Sequence, residues 1–286
     1  MFLYKFYMFL FSLKVATCNC HSEIQKSGFQ RAKAEYSITK TGRMPVCINE
    51  NSGLIRAWQN DFYWTHNDGG GNAELYMINQ EGRIFDTLFI NDSKNIDWED
   101  LTKDDKGNIY VGDFGNNNQA RKDLTIYKHR NGKTEKITFH YADQAYFPAK
   151  QKIFDCEALF WYGGKLYLFS KDWSNNHLTQ LYILPDQAGD YMLLPEQNIF
   201  LKSPVTAADI NPSGKEFALL SYGKIFIFEI TGGKIDFSKP KSCIKIGRNQ
   251  AEALTYTNDT DFVITNEQRK IYLVKRKKLN PKKTHK

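Results

Sequence analysis

Five cysteines, six histidines and eight prolines in 286 residues are a thin supply. No CxxC pair and no Cys/His zinc spacing occurs, so the sequence offers neither a structural zinc site nor a thioredoxin-like redox motif. A nucleophile elbow, a Ser-His-Asp order, an HExxH helix and a phosphate-binding glycine loop are also missing. Gly69-Gly70-Gly71 lies between two strand-like runs and precedes no helix, so it reads as a hairpin. Helical periodicity of useful length is absent throughout. Excess charge is confined to one place. Lys275, Arg276, Lys277, Lys278, Lys282, Lys283 and Lys286 account for the whole formal charge of +7. Residues 275–286 therefore read as a basic, disordered tail, and the neutral remainder gives no case for nucleic acid.

What the chain has is aromatic residues, 16 Tyr and 20 Phe, and a repeat. An apolar phrase with an aromatic inside it returns at Glu74–Ile78, Leu124–Tyr127, Gln180–Leu184, Lys224–Phe228 and Lys270–Val274. The copies lie roughly 45 to 55 residues apart, a period that means propeller blades or solenoid units. Strand starts at Ser52, Glu99, Glu157, Ala208 and Glu252 repeat in the same phase. So do second-strand loops at Asn67-Asp68, Asp113 to Asn117, Lys171-Asp172, Tyr222-Gly223 and Asn266-Glu267. Short Tyr-, Phe-, Ile- and Val-rich runs between Gly, Asn and Asp clusters are strand and turn chemistry. The expected fold is all-β: a propeller of four-stranded antiparallel blades, five in number. Six stay open if the stretch Thr138 to Phe154 holds another. The last unit runs out at Val274, so a strand from Arg31 to Thr39 is expected to complete it and close the ring.

The expected organisation is a signal peptide over 1–17, a tether over 18–30, one propeller over 31–274 and the tail over 275–286. Met1 to Leu13 is apolar after one early lysine and too short to span a membrane. Val15-Ala16-Thr17-Cys18 resembles a loose lipoprotein box, with Cys18 as the lipidated residue. Lipid anchoring, plain secretion and a non-cleaved start all stay open, the first two being preferred. The expected location is extracytoplasmic, secreted or lipid-anchored in a bacterial cell envelope, with membrane touched only through such an anchor. Cys156 and Cys243 read as small buried hydrophobes, and no disulfide is implied.

Inner strands of a propeller line its axis, so their starts and the second-strand loops open onto one mouth of the channel. Asp97 with Glu99, and Asp155 with Glu157, share a strand side by the two-residue period. Glu252, Asp68, Asp113, Asn117 and Glu267 are expected at the same mouth. Carboxylates converging there need a proton, a base or a cation. An all-oxygen set suits a hard ion, Ca²⁺ ahead of Mg²⁺. Asp and Asn also satisfy turn backbone locally, which is the simpler reading for any one of them. Lys171, a base among acids, is suited to pair with Asp155 or Glu157, or to orient an anionic substrate. His66 is the only histidine expected near this face, as a loop residue or a general base.

The phrases Trp64-Thr65-His66-Asn67-Asp68-Gly69, Asp97-Trp98-Glu99-Asp100-Leu101, Gly112-Asp113-Phe114-Gly115-Asn116-Asn117 and Asp155-Cys156-Glu157-Ala158-Leu159 resemble those of uncharacterised secreted propeller proteins and lipoproteins of Bacteroidetes-type bacteria. That resemblance runs from about Arg43 to Val274. More distantly, the Glu-Ala-Leu strand start before an Asp or Asn loop is similar to gluconolactonase, senescence-marker and NHL-type propellers. Enzymes of that kind hold a divalent ion with one Glu plus Asn and Asp. The resemblance implies Glu99, Glu157 or Glu252 as the Glu, with Asn117 and Asp113 beside it. Two functions follow as expectations. One is a monomeric envelope binding or scaffold protein for a small molecule or another envelope protein. The other is a metal-dependent hydrolase of a lactone, phosphate ester or sugar derivative.

Overall fold

The inner and middle strands of this chain bury their apolar faces against neighbouring sheets, while outer strands such as Ile84–Phe89 and Gln197–Phe200 stay partly exposed. The computed structural model describes residues 20, 22–59, 61–172, 174, 178–247 and 250–278. The expected signal peptide and Cys18 fall outside them. A short helix α1 (Ser22–Lys26) leads to β1 (Gln30–Arg31) and β2 (Tyr36–Arg43). The first sheet is β3 (Asn51–Arg56), β4 (Phe62–Asn67), β5 (Glu74–Asn79) and β6 (Ile84–Phe89). The second holds β7 (Trp98–Lys103), β8 (Ile109–Asp113), β9 (Leu124–Arg130) and β10 (Lys133–Tyr141). The third holds β11 (Cys156–Tyr162), β12 (Lys165–Ser170) and β13 (Leu178–Pro185), then skips β14 (Gly189–Leu193) and ends on β15 (Gln197–Phe200). The fourth is β16 (Val205–Ile210), β17 (Glu216–Ser221), β18 (Lys224–Glu229) and β19 (Pro240–Lys245). The fifth is β20 (Ala251–Tyr256), β21 (Phe262–Asn266) and β22 (Lys270–Arg276), with β2 as its outer strand.

These sheets are the blades of a five-bladed β-propeller. Ring closure follows the expected route: β2 pairs antiparallel with β22, Ile38 opposite Val274. The stretch that left a sixth blade open supplies part of β10 and the connection beyond it. Two blades gain a fifth strand, because β14 adds parallel to β10 and β1 adds parallel to β19. Both additions cover outer edges that would otherwise present unpaired backbone groups.

The core divides into five apolar clusters, one at each interface between blades. Between the third and fourth, Phe160 and Phe169 meet Phe217, Phe226 and Phe228. Phe217 stacks on Phe228 with ring centroids 4.7 Å apart. Each such phenyl is wholly buried, contributing about 1.5–3 kcal/mol relative to exposure. Trp98 serves the first interface with Ile55 and Trp64, and Met44 and Ile48 pack between the fifth blade and the first.

Three expectations need correction. Cys243 is disulfide-bonded to Cys20, because α1 folds the N-terminal segment onto the fourth blade and brings the two together. Residues 20–31 are thus no free tether: Ile24 and Phe29 are buried in the interface of blades three and four. The tail starts later than expected, since Lys275 and Arg276 continue β22 opposite Ser37 and Tyr36. The backbone N–H of Lys277 still donates to the carbonyl of Glu35 at 2.7 Å. Residues 279–286 lie outside the described residues.

Candidate functional site

Every inner strand breaks register at its start. In β7 the pairing with β8 jumps from Trp98 to Asp100, in β11 with β12 from Cys156 to Ala158, in β20 with β21 from Ala251 to Ala253. β16 breaks between Val205 and Ala207, and β3 between Asn51 and Leu54. A bulge leaves one residue without a cross-strand partner and re-aims its side chain. The residues so placed are Ser52, Glu99, Glu157, Thr206 and Glu252. Thr206, not Ala208, is therefore the fourth blade's counterpart of Glu99, a two-residue correction to the repeat read from its Ala-Asp-Ile apolar pattern.

A second tier comes from the residue that follows each second strand: Asp68 after β4, Lys171 after β12, Tyr222 after β17 and Glu267 after β21. In the second blade Phe114 instead turns inward against Phe139, and Gly115 takes the place. A Cβ on Gly115 would run into the carboxyls of Glu99 and Asp97. This glycine makes the room that the acids occupy.

Asp68, Asp97 and Glu99 each bring one carboxylate oxygen within 4.8 Å of the others. Glu99 is 3% exposed. Beside it, Glu157 Oε2 is bridged by Lys171 Nζ at 2.9 Å. Glu157 Oε1 is buried with no hydrogen-bond partner among the described residues, and the Glu99 carboxyl adjoins Glu157. Glu252 lies against Glu267, whose Oε1 accepts from Gln250 Nε2. Six carboxyls thus surround one lysine.

Burial pushes the Asp68 carboxyl up to about 6, with Asp97 adding to it and the Gly69 N–H opposing. Asp97 also rises to about 6, again chiefly by burial, with Arg121 working against the rise. Burial and then Glu157 drive Glu99 well above the usual carboxyl range. Glu252 rises likewise by burial, tempered by Lys171. Burial disfavours the Lys171 ammonium, but Glu157, Glu252 and Glu99 outweigh it and hold the group charged. The cluster has less positive charge than it needs.

Other expected residues do not join it. Asp113 pairs with Arg121 at 3.0 Å and accepts the Asp97 N–H at 2.9 Å, so it braces the loop from behind. Asp155 Oδ1 accepts the Asn116 N–H at 2.6 Å, and Asn116 in turn caps Ala120 and Arg121. Asn117 is exposed beyond this clip. Asp172 Oδ2 accepts the Leu178 N–H at 2.8 Å. These are the local backbone roles that Asp and Asn fill in turns. His66 is withdrawn from the mouth because the period of β4 points it between blades one and two. Its ring meets the edge of Trp98, Nδ1 lies 2.8 Å from the Asn67 carbonyl, and Nε2 is buried without a partner. Burial lowers it to about 4.

Sequence reasoning missed Asp100 and Asp209, both deeper in the channel. Asp100 Oδ2 accepts the N–H groups of Leu159 at 3.0 Å and Ala208 at 3.2 Å, tying the second blade to the third and fourth. Asp209 Oδ2 accepts from Tyr256 N–H and Thr255 Oγ1, tying the fourth to the fifth. Their signal was an acid within an apolar inner strand, where a carboxylate needs several donors to persist.

No family profile matches this chain, and no curated protein matches it. Among solved structures it is similar to virginiamycin B lyase from Staphylococcus aureus, a β-propeller protein. Identity is 11%, with 79% of this chain and 66% of that one covered, and the TM-score is 0.42. U3-55K, also a propeller, is 8% identical over 78% of this chain and 67% of its own, with a TM-score of 0.40. The chain spans about two thirds of the length of the structures it matches.

Proposed function

We propose that this propeller is an extracytoplasmic binding protein whose acidic channel mouth holds a hard divalent cation, Ca²⁺ first, with Asp68, Asp97 and Glu99 as ligands. The observation that carries the reading is the convergence of three carboxylate oxygens, Asp97 and Glu99 from the start of β7 and Asp68 from the loop after β4, beside the space left by Gly115. Carboxylate oxygens alone suit Ca²⁺, which takes six to eight, so about three to five positions remain for water and a bound molecule. A cation there would relieve the repulsion that Lys171 only partly offsets. The ligand would be a small molecule or an envelope partner presenting oxygen atoms to the ion.

The Cys20–Cys243 disulfide supports an oxidising compartment, and hence export. Lipid attachment at Cys18 and the resemblance to secreted propellers fit the same setting. The hydrolase alternative would use the same ion to activate water, but His66 lies too deep between blades to serve as its base, leaving only carboxyls. Binding is therefore the better reading.

The test is thermal unfolding of the chelator-treated chain with and without millimolar CaCl₂. Stabilisation of about 2.7 kcal/mol is expected at a hundredfold excess over the dissociation constant. Asp97→Asn should lose most of it. Identical wild-type curves in chelator, Ca²⁺ and Mg²⁺ would remove the cation from this account.

A further inference from the structure

The channel has a second end, and its chemistry is opposite. Inner strands rise about 3.3 Å per residue, so Lys103 lies about 13 Å along β7 from Glu99. At that end a cavity of about 280 Å³ opens on the axis. All five inner strands line it near their ends, with Arg56, Lys103, Trp161, Ile210 and Tyr256. The acidic mouth plays no part in it.

Cationic groups dominate this cavity. Lys103 is half-buried and forms no ion pair within 4 Å among the described residues; its ammonium instead lies 5.0 Å from the centre of the Trp58 ring. Arg56 Nη1 donates to the Thr257 carbonyl at 3.0 Å, which fixes the guanidinium at the rim. The one carboxylate in the lining, Asp209, has its oxygens engaged by Ile210 N–H, Tyr256 N–H and Thr255 Oγ1. Lys103 and Arg56 thus share the lining with one acid, whose oxygens already accept hydrogen bonds from the wall. Burial disfavours the Lys103 ammonium; Asp209 supports its charge and Arg56 opposes it, so an incoming anion would add to the support that Asp209 gives.

The rest of the lining is flat and apolar. Trp161 is half-buried, with Nε1 held by Asp186 Oδ2 at 2.7 Å, so the indole is fixed in place. Ile210 and Pro212, from the neighbouring fourth blade, add to the apolar lining. A preformed hollow with apolar walls and a few convergent charges is how small-molecule sites are built, and this one has room for a single ring with one charged group.

We propose that this cavity binds a small planar organic anion, a ring carboxylate or ring phosphate, with its charged group on Lys103 and Arg56 and its ring against Trp161. The site is separate from the acidic mouth, and neither depends on the other.

The test uses benzoate and phenyl phosphate as probes of the full chain, followed by tryptophan fluorescence and calorimetry. Saturable binding of at least one probe is expected, and the tighter of the two tells carboxylate from phosphate. Benzyl alcohol, which has the ring without the charge, should bind at least tenfold more weakly. Lys103→Gln should lower affinity at least tenfold, and Lys103→Arg should stay within about threefold of wild type. Glu157→Gln, at the other end, should bind the probe as wild type does. A melting shift with the probe provides the same reading for any variant of altered stability. The proposal is overturned by failure of both probes to bind, by equal binding of benzyl alcohol, or by undiminished binding to Lys103→Gln.

Discussion

Lys171 Nζ sits 2.9 Å from Glu157 Oε2, and both side chains are almost wholly inside the protein. The pair is the pivot of the acidic mouth, because Glu99 and Glu252 also lean on this one ammonium. Its desolvation is costly, and the return is a cluster of acids held in place.

Lys171→Met keeps the length of the stem and removes the charge. Breaking a buried pair in this way costs about 3–5 kcal/mol. That loss is expected at pH 7.5 in urea unfolding. It should shrink at pH 5, where the acids with raised pKa take up protons, and Ca²⁺ should restore part of it at pH 7.5. An equal loss at both pH values would mean that the lysine acts by packing and not by charge.

Proton and cation compete for the mouth. Asp68 and Asp97 titrate at about 6 in the folded chain, above the ordinary aspartate range. Without metal, their folded-state protonation adds stability below about pH 4 that is lost as pH rises to about 6. Calcium binding runs the other way, since it needs both groups ionised. Each group should weaken apparent affinity about tenfold between pH 7.5 and pH 5, about a hundredfold together. Titration calorimetry at the two pH values measures this; an affinity independent of pH would exclude these aspartates as ligands.

His66 has the opposite sign. Its folded pKa is depressed to about 4, so its contribution is present above pH 6.5 and is lost as pH falls towards 4. The full effect is about 3 kcal/mol. The stability gap between wild type and His66→Gln should therefore narrow steadily from pH 7 to pH 4.5. A gap that stays constant would show that the imidazole does not resist protonation.

The blades were legible because strand chemistry and a fixed period repeat together, and three landmarks kept phase. Glu99, Glu157 and Glu252 were legible for the same reason, as acids at strand starts that have no local use for them. Asp113 and Asn117 misled, since a loop Asp or Asn looks the same whether it faces a channel or braces a turn. Bulges carry no residue signature, which is why the fourth unit was read two residues late. The far cavity was invisible: Arg56, Lys103 and Trp161 lie in different repeats at strand ends that share no motif. Cys20 and Cys243 are 223 residues apart, and nothing in their spacing pairs them.

Reduction tests that link. Among the described residues Cys47 and Cys156 are free thiols, and Cys20–Cys243 is the one disulfide for a reductant to open. Opening the disulfide should cost about 2–4 kcal/mol. Calorimetric melting with and without phosphine reductant reads the change. Superimposable melts would mean that residues 20–31 stay docked on the fourth blade by packing alone.

The partnership of β2 with β22 also sets a clock. Ile38 waits for Val274, and Cys20 waits for Cys243, so β2 is made before the five inner strands and is among the last to find its partner. At ordinary elongation rates that interval is on the order of ten to fifty seconds. Until it ends, the growing chain is an open fan with a bare edge on the fifth blade, and long-range pairings of this kind form slowly. Vulnerability to aggregation and proteolysis is therefore concentrated before ring closure, and any factor that shields β2 during that wait would govern yield more than one acting on the finished ring.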